Sequence, residues 1–150
     1  MGGLKVDVEI IEYAIAREQH AYNFYKALSQ HVISERLGEI FEALAEEEKE
    51  HKKRLEFELI KQGLTVSEQS NSQDADGREY GLEEGVRIDM DYEDALVVAI
   101  SKEDLAFRFY VEQVGKISEK GSKEVLLALA QEEAKHKLRF EQELERLRGK

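Results

Sequence analysis

The sequence predicts an all-α protein, an antiparallel four-helix bundle built from two duplicated helical hairpins joined by a long crossover. Three observations carry this. Apolar residues step by three and four through four separate segments. The second pair of segments repeats the first 85 residues later, and a polar, glycine-containing stretch separates the pairs.

The first segment, residues 7–32, sets Ile11, Ile15, Glu18, Tyr22 and Tyr25 on one stripe. The second, 34–62, does the same with Leu37, Phe41, Leu44, Glu48, His51 and Leu55. The third, 92–117, carries Leu96, Ile100, Glu103, Phe107, Tyr110, Val114 and Ile117, and the fourth, 122–147, carries Leu126, Leu129, Glu133, His136 and Phe140. Asp7, Ser34, Asp91 and Ser122 stand where an N-cap oxygen is wanted, and Gly63 and Gly149 where a helix stops. At about 1.5 Å per residue each helix is about 36–40 Å long.

Only a few residues join the first helix to the second (around His31–Ser34) and the third to the fourth (around Ser118–Ser122), which forces antiparallel neighbours. Between the pairs, the run from Ser67 to Gly77 is almost entirely polar, and Gly81 and Gly85 follow. A loop this long is uncommon without a task. Crossing the length of a bundle takes about 11 extended residues at about 3.4 Å each, which this segment exceeds. It could equally let one hairpin swap onto a second chain. The expected organisation is one domain over 1–150, with a helical pair at 7–62, a crossover at 63–90 and a helical pair at 91–148.

Length and charge narrow the function classes. A chain of 150 residues supports one domain with a real core. A net charge of −11 argues against a nucleic-acid surface, which needs clustered Lys and Arg, and against anionic membranes. No stretch approaches the roughly 20 apolar residues of a membrane span. Cysteine is absent, so disulfides, thiol nucleophiles and Cys-ligated metals are excluded. The opening residues Met1–Lys5 have no apolar core like that of a secretory signal, so the cytoplasm is the expected location.

The chemistry lies in the repeat. Glu18, Glu48 and His51 recur as Glu103, Glu133 and His136, each half holding a lone Glu and then Glu-x-x-His. Residues i and i+3 share a helix face, so Glu48 with His51, and Glu133 with His136, can each bind one ion. Glu18 and Glu103 reach inward from the remaining helices, and halves related by a pseudo-twofold axis would bring all six side chains together. Taken singly, a helical Glu is usually solvated and a Glu-x-x-His pair is often accidental. Here all six fall in the apolar register, where an uncompensated buried carboxylate costs several kcal/mol. Two divalent ions would balance four carboxylates. Oxygen with imidazole suits iron or manganese and also accepts zinc, and bridging carboxylates allow ions about 3.5–4 Å apart.

Other polar residues on these helices have plainer readings. His20, whose counterpart is Leu105, points to another face, and His31 ends a helix. Glu46, Glu47, Glu50 and Glu132 flank the ligands as solvated groups, although Glu47 and Glu132 stand one turn before each His. Tyr25 and Tyr110 lie seven residues after the lone Glu. They read as core packing with a bonded hydroxyl, as hydrogen-bond donors to a ligand carboxylate, or as an electron relay.

On Glu18, Glu48-Lys49-Glu50-His51, Glu103, Glu133-Ala134-Lys135-His136, Tyr25 and Tyr110, the chain resembles the ferritin-like di-iron carboxylate superfamily, most closely its rubrerythrin branch. This ligand pattern is the established one of ferritin-like bundles. The resemblance implies two iron ions, with Glu48 and Glu133 bridging or chelating and Glu18, Glu103, His51 and His136 terminal. It also implies a homodimer, which the crossover would allow to be domain-swapped. Two departures stand out. Rubrerythrins bear a four-Cys rubredoxin iron site, so the electrons here are expected from a separate donor protein. They also carry an extra Glu three residues after a lone Glu, where this chain has Ala21 and Ala106. A storage ferritin would add a fifth C-terminal helix. The leading expectation is therefore an oxidoreductase that reduces peroxide or dioxygen at a two-metal centre. A ferroxidase or iron-handling protein is the second reading, and a metal-free helical interaction module the third.

Overall fold

A computed structural model describes residues 2–64 and 85–149, with side chains from residue 6 onward. Its helices are α1 (Gly2–His31), α2 (Glu35–Lys61), α3 (Tyr92–Val114) and α4 (Lys120–Leu147), and the described residues contain no strand beyond one isolated bridge. The chain is all-α, as its periodicity requires, and both short links close helical hairpins. Most of the expected crossover lies outside the described residues. The chain divides into two compact units, one of Val8–Met90 and one of Met1–Asp7 with Asp91–Lys150. Among the described residues no helix is long and apolar enough to cross a membrane.

In the first unit the apolar stripe is buried as read: Ile11, Ile15 and Tyr25 on α1, and Leu37, Phe41, Leu44, Leu55 and Leu59 on α2. Each large side chain taken from water contributes about 1.5–3 kcal/mol. Tyr22, expected on the stripe, is only half-buried. Ser34 caps α2 by accepting from Leu37 N at 3.2 Å. Gly38 lets the two backbones approach: a Cβ there would lie 3.1 Å from the Ser29 carbonyl oxygen. The Nζ of Lys26 on α1 donates to Oε1 of Glu42 on α2. At the far end Gly63 takes φ +79°, its N–H donates to Ile60 O at 2.9 Å, and Leu64 N donates to Leu59 O at 3.0 Å. This paired closure of the last turn needs a left-handed residue, which glycine adopts without penalty.

In the second unit Leu96, Tyr110 and Ile117 face Leu126 and Leu129 as core, while Ile100, Phe107, Val114 and Phe140 are half-buried. Asp91 caps α3 through Asp94 N at 2.8 Å. The cap of α4 differs from expectation. Glu119 accepts from Gly121 N at 3.0 Å and Ser122 N at 2.7 Å, so the helix begins two residues before Ser122, which is buried. The positions equivalent to Lys26 and Glu42 are Val111 and Leu127, each about half exposed, so that cross-helix bond belongs to the first hairpin alone.

Each hairpin turn is held by a residue from elsewhere in the chain. Val32 and Ile88 form a parallel bridge: Ile88 N donates to His31 O at 2.8 Å, and Ile33 N donates to Ile88 O at 2.9 Å. The α3–α4 turn is held by Asp7, whose two carboxylate oxygens accept from Ser118 N at 2.8 Å and Glu119 N at 2.7 Å. Asp7 therefore caps no helix of its own, since α1 starts five residues earlier; it is buried and serves a distant turn.

Candidate metal centre

Two groups of carboxylates and imidazole arise at the middle of the helices. In the first unit, α1 contributes Glu18 and α2 contributes Glu48 and His51, all buried. Ligand atoms from these three lie within 4.8 Å of one another. Oε2 of Glu18 is 3.6 Å from Nδ1 of His51, and Oε1 of Glu48 is 3.7 Å from it. These separations exceed a hydrogen bond. An ion about 2.1 Å from each ligand atom serves atoms up to about 4.2 Å apart, so the spacing fits a shared ion.

The second unit repeats the arrangement. Oε1 of Glu103 on α3 lies 3.7 Å from Nδ1 of His136 on α4, and carboxylate oxygens of Glu103 and Glu133 come within 4.8 Å. Glu103 and Glu133 are fully buried, and neither oxygen of Glu103 takes part in a hydrogen bond among the described residues. A buried carboxylate left so costs several kcal/mol unless a cation or proton compensates it. The halves differ at the imidazole: the side chain of His51 is 3% exposed and that of His136 is 15% exposed.

Helical register explains why these side chains meet. Leu44 stands one turn before Glu48 and Leu55 one turn after His51, both buried, so the Glu-x-x-His pair occupies the centre of the apolar stripe. Leu129 plays the same part before Glu133. In each unit two carboxylates and one imidazole in this setting are donors of the kind that a hard or borderline divalent metal takes.

The remaining sequence candidates fall elsewhere. Tyr25 is buried and stacks on Phe41, ring centroids 6.2 Å apart, while Tyr110 is buried edge-on to Phe109 at 5.3 Å. His20 is exposed, and His31 donates from Nδ1 to Ala27 O at 2.8 Å, capping the end of α1. Glu46 and Glu50 are exposed, whereas Glu47 and Glu132 are half-buried.

Four residues beside the ligands emerge only in three dimensions. Lys52, next to His51, donates from Nζ to Oε1 of Gln19, next to Glu18, at 2.6 Å. Lys137, next to His136, donates to Oδ1 of Asp104, next to Glu103, at 2.8 Å. Burial pushes the Lys52 ammonium below its usual range, against the pull of Glu56. The hydrogen bond between Lys137 and Asp104 holds the lysine above its usual range and the carboxyl below its own. The signal was present in the sequence, because these pairs obey the same 85-residue offset as the ligands.

The family model described as Rubrerythrin matches residues 9–91 and 94–150, so its two segments fall on the two halves of the internal duplication. No individual curated protein matches the chain. With the match covering almost the whole sequence, the chain belongs to the Rubrerythrin family.

Proposed function

We propose that the two units form one domain around a two-metal carboxylate centre, and that the protein is a di-iron oxidoreductase reducing peroxide or dioxygen with electrons from a separate donor. Its ligands are Glu18, Glu48 and His51 with Glu103, Glu133 and His136. The observation that carries the reading is the repetition of one constellation, a buried Glu on the first helix of a hairpin placed 3.6–3.7 Å from a His on the second. Membership of the Rubrerythrin family supports the same centre.

The donor set fits two divalent ions in charge, since four carboxylates offset them. Bound iron would supply the redox change between ferrous and ferric states; manganese would meet the same ligands, and zinc would do so without a redox change. His51 and His136 would ligate through Nδ1, the ring nitrogen that lies near Glu18 and Glu103 respectively. Leu44, Leu55 and Leu129 keep water from the ligand atoms, which strengthens every charge interaction there. Tyr25 and Tyr110 are buried on the same helix stripes as Glu18 and Glu103 and pack as aromatic core. With no cysteine in these 150 residues, electrons reach the centre from outside them.

The test is an anaerobic reconstitution with ferrous iron followed by hydrogen peroxide. Peroxide consumption coupled to a chemical reductant, at two irons per chain, is the expected result. Net ferrous oxidation with release of ferric iron, and no reductant-coupled turnover, would favour the ferroxidase reading instead. No bound iron, and no visible absorption in air, would overturn both.

A further inference from the structure

The pairs beside the ligands form a duplicated device with a common geometry and different chemistry. In the first hairpin Asn23 Oδ1 accepts from Gln19 Nε2 at 2.9 Å, which orients the amide so that Gln19 Oε1 meets Lys52 Nζ at 2.6 Å. In the second, Arg108 Nε donates to Asp104 Oδ2 at 2.8 Å, and Asp104 Oδ1 meets Lys137 Nζ at 2.8 Å. Asn23 and Arg108, Gln19 and Asp104, and Lys52 and Lys137 are equivalent positions of the repeat. An amide chain has become an ionic chain, yet in both a lysine of the second helix reaches an oxygen on the first, itself steadied from one turn further along.

We infer that Lys52 and Lys137 are positioning residues that fix the stagger of each hairpin, so that Glu18 meets His51 and Glu103 meets His136 at ion-sharing distance. Each tie joins the residue following the lone Glu to the residue following the His, so it acts at the level of the ligands. Sliding one helix by a single residue moves its side chains about 1.5 Å along the axis. A metal constellation tolerates only about 0.5 Å. Apolar packing restricts sliding through shape alone, whereas each lysine tie adds a directed bond between the residues that follow the ligands.

The inference rests on the metal-centre reading, and its test keeps the two apart. A positive charge next to a cation site repels the metal, so a lysine acting through charge alone would weaken binding, and its removal would tighten it. Positioning predicts the opposite sign. The chelator-stripped full-length chain is titrated anaerobically with Co²⁺, following the ligand-field absorption, for the unaltered protein, Lys52→Met, Lys137→Met, Gln19→Met and the exposed control Lys53→Met. Far-UV circular dichroism monitors folding. The unaltered chain binds two ions. In Lys52→Met and Lys137→Met one of the two binding steps weakens by about 10–100-fold, the usual range for groups that orient ligands. Its absorption band shifts as well, while Lys53→Met leaves both steps unchanged. Gln19→Met reproduces Lys52→Met, and the double variant is no worse than either single one. The more exposed Lys137 tie serves as the decisive pair if Lys52→Met does not fold. Unchanged or tighter Co²⁺ binding in a folded lysine variant overturns the inference and leaves the centre standing. No Co²⁺ bound by the unaltered chain overturns both.

Discussion

Oε2 of Glu18 lies 3.6 Å from Nδ1 of His51 across the α1–α2 pair, too far for a hydrogen bond and near enough for one ion to serve both. Its repeat, Glu103 with His136, differs by 0.1 Å. An ion shared by such a pair would tie the two helices of a hairpin together, so metal removal should be felt by the fold. At a hundredfold excess over Kd each bound ion contributes about 2.7 kcal/mol. Chelator-treated protein should therefore melt well below metal-loaded protein in a calorimetric scan. Equal melting temperatures would mean that the ligands do not converge on metal.

Ligand substitutions separate the six from their acidic neighbours. Glu48→Gln and Glu133→Gln should each lower metal affinity at least about tenfold. Glu50→Gln, on an exposed side chain 3.6 Å from Lys53, should leave it unchanged. Metal content after dialysis, read by atomic absorption, makes the comparison.

Asp7 offers a stability test remote from the centre. Asp7→Ala strips Ser118 N and Glu119 N of their acceptor and should lower stability by about 1–3 kcal/mol. Asp7→Asn keeps one acceptor oxygen and should fall between. Urea midpoints for the three proteins decide it, and a neutral Asp7→Ala would remove the turn-holding role.

The bond between Lys26 and Glu42 predicts a pH dependence with two limbs. That hydrogen bond holds Glu42 below the usual carboxylate range and Lys26 above the usual lysine range. For Glu42 the stabilisation is present above the unfolded carboxyl value and is lost as pH falls through the lowered one. For Lys26 it is present below the unfolded lysine value and is lost as pH rises through the raised one. The contribution is therefore full from about pH 5 to about pH 10 and declines on both sides. Both groups are partly exposed, so the effect is small, at most about 1 kcal/mol. Denaturation curves at acid, neutral and alkaline pH should differ between the unaltered protein and Lys26→Met at neutral pH and converge at the extremes.

The unequal exposure of the two imidazoles predicts a difference in reactivity. In metal-free protein, acylation by diethyl pyrocarbonate should reach His136 before His51, and metal should protect both. Mass spectrometry of the peptides reads each site. Equal rates would contradict the burial difference.

The helices and the buried stripe that carries Glu48 and His51 were legible because both depend on local register. Leu44, Glu48, His51 and Leu55 share a face whatever the rest of the chain does, and the 85-residue repeat marks the same face twice. Ser34 and Asp91 cap as read for the same reason. What escaped depends on contacts that local pattern does not encode. Asp7 before an apolar run has every mark of an N-cap, yet α1 continues back to Gly2 and the carboxylate turns to Ser118. Ser122 outranks Glu119 by capping preference, but it is buried inside α4, and Glu119 supplies the oxygen instead. Ile88 lay in a stretch read as bare crossover, and its backbone pairing follows from the position of the α1–α2 turn. The lysine ties were visible as repeated letters but had no reading until the helices were set side by side.

The bond from Ser118 to Asp7 spans 111 residues. The carboxylate and its two N–H partners are distant in the chain, so this hold on the α3–α4 turn exists only once both segments have been made. Closing so long a loop is slow, which places the Asp7 contact, and not the local turn itself, late in folding. Cleavage between Asp7 and the rest of the chain would thus loosen a helical pair whose own sequence was untouched.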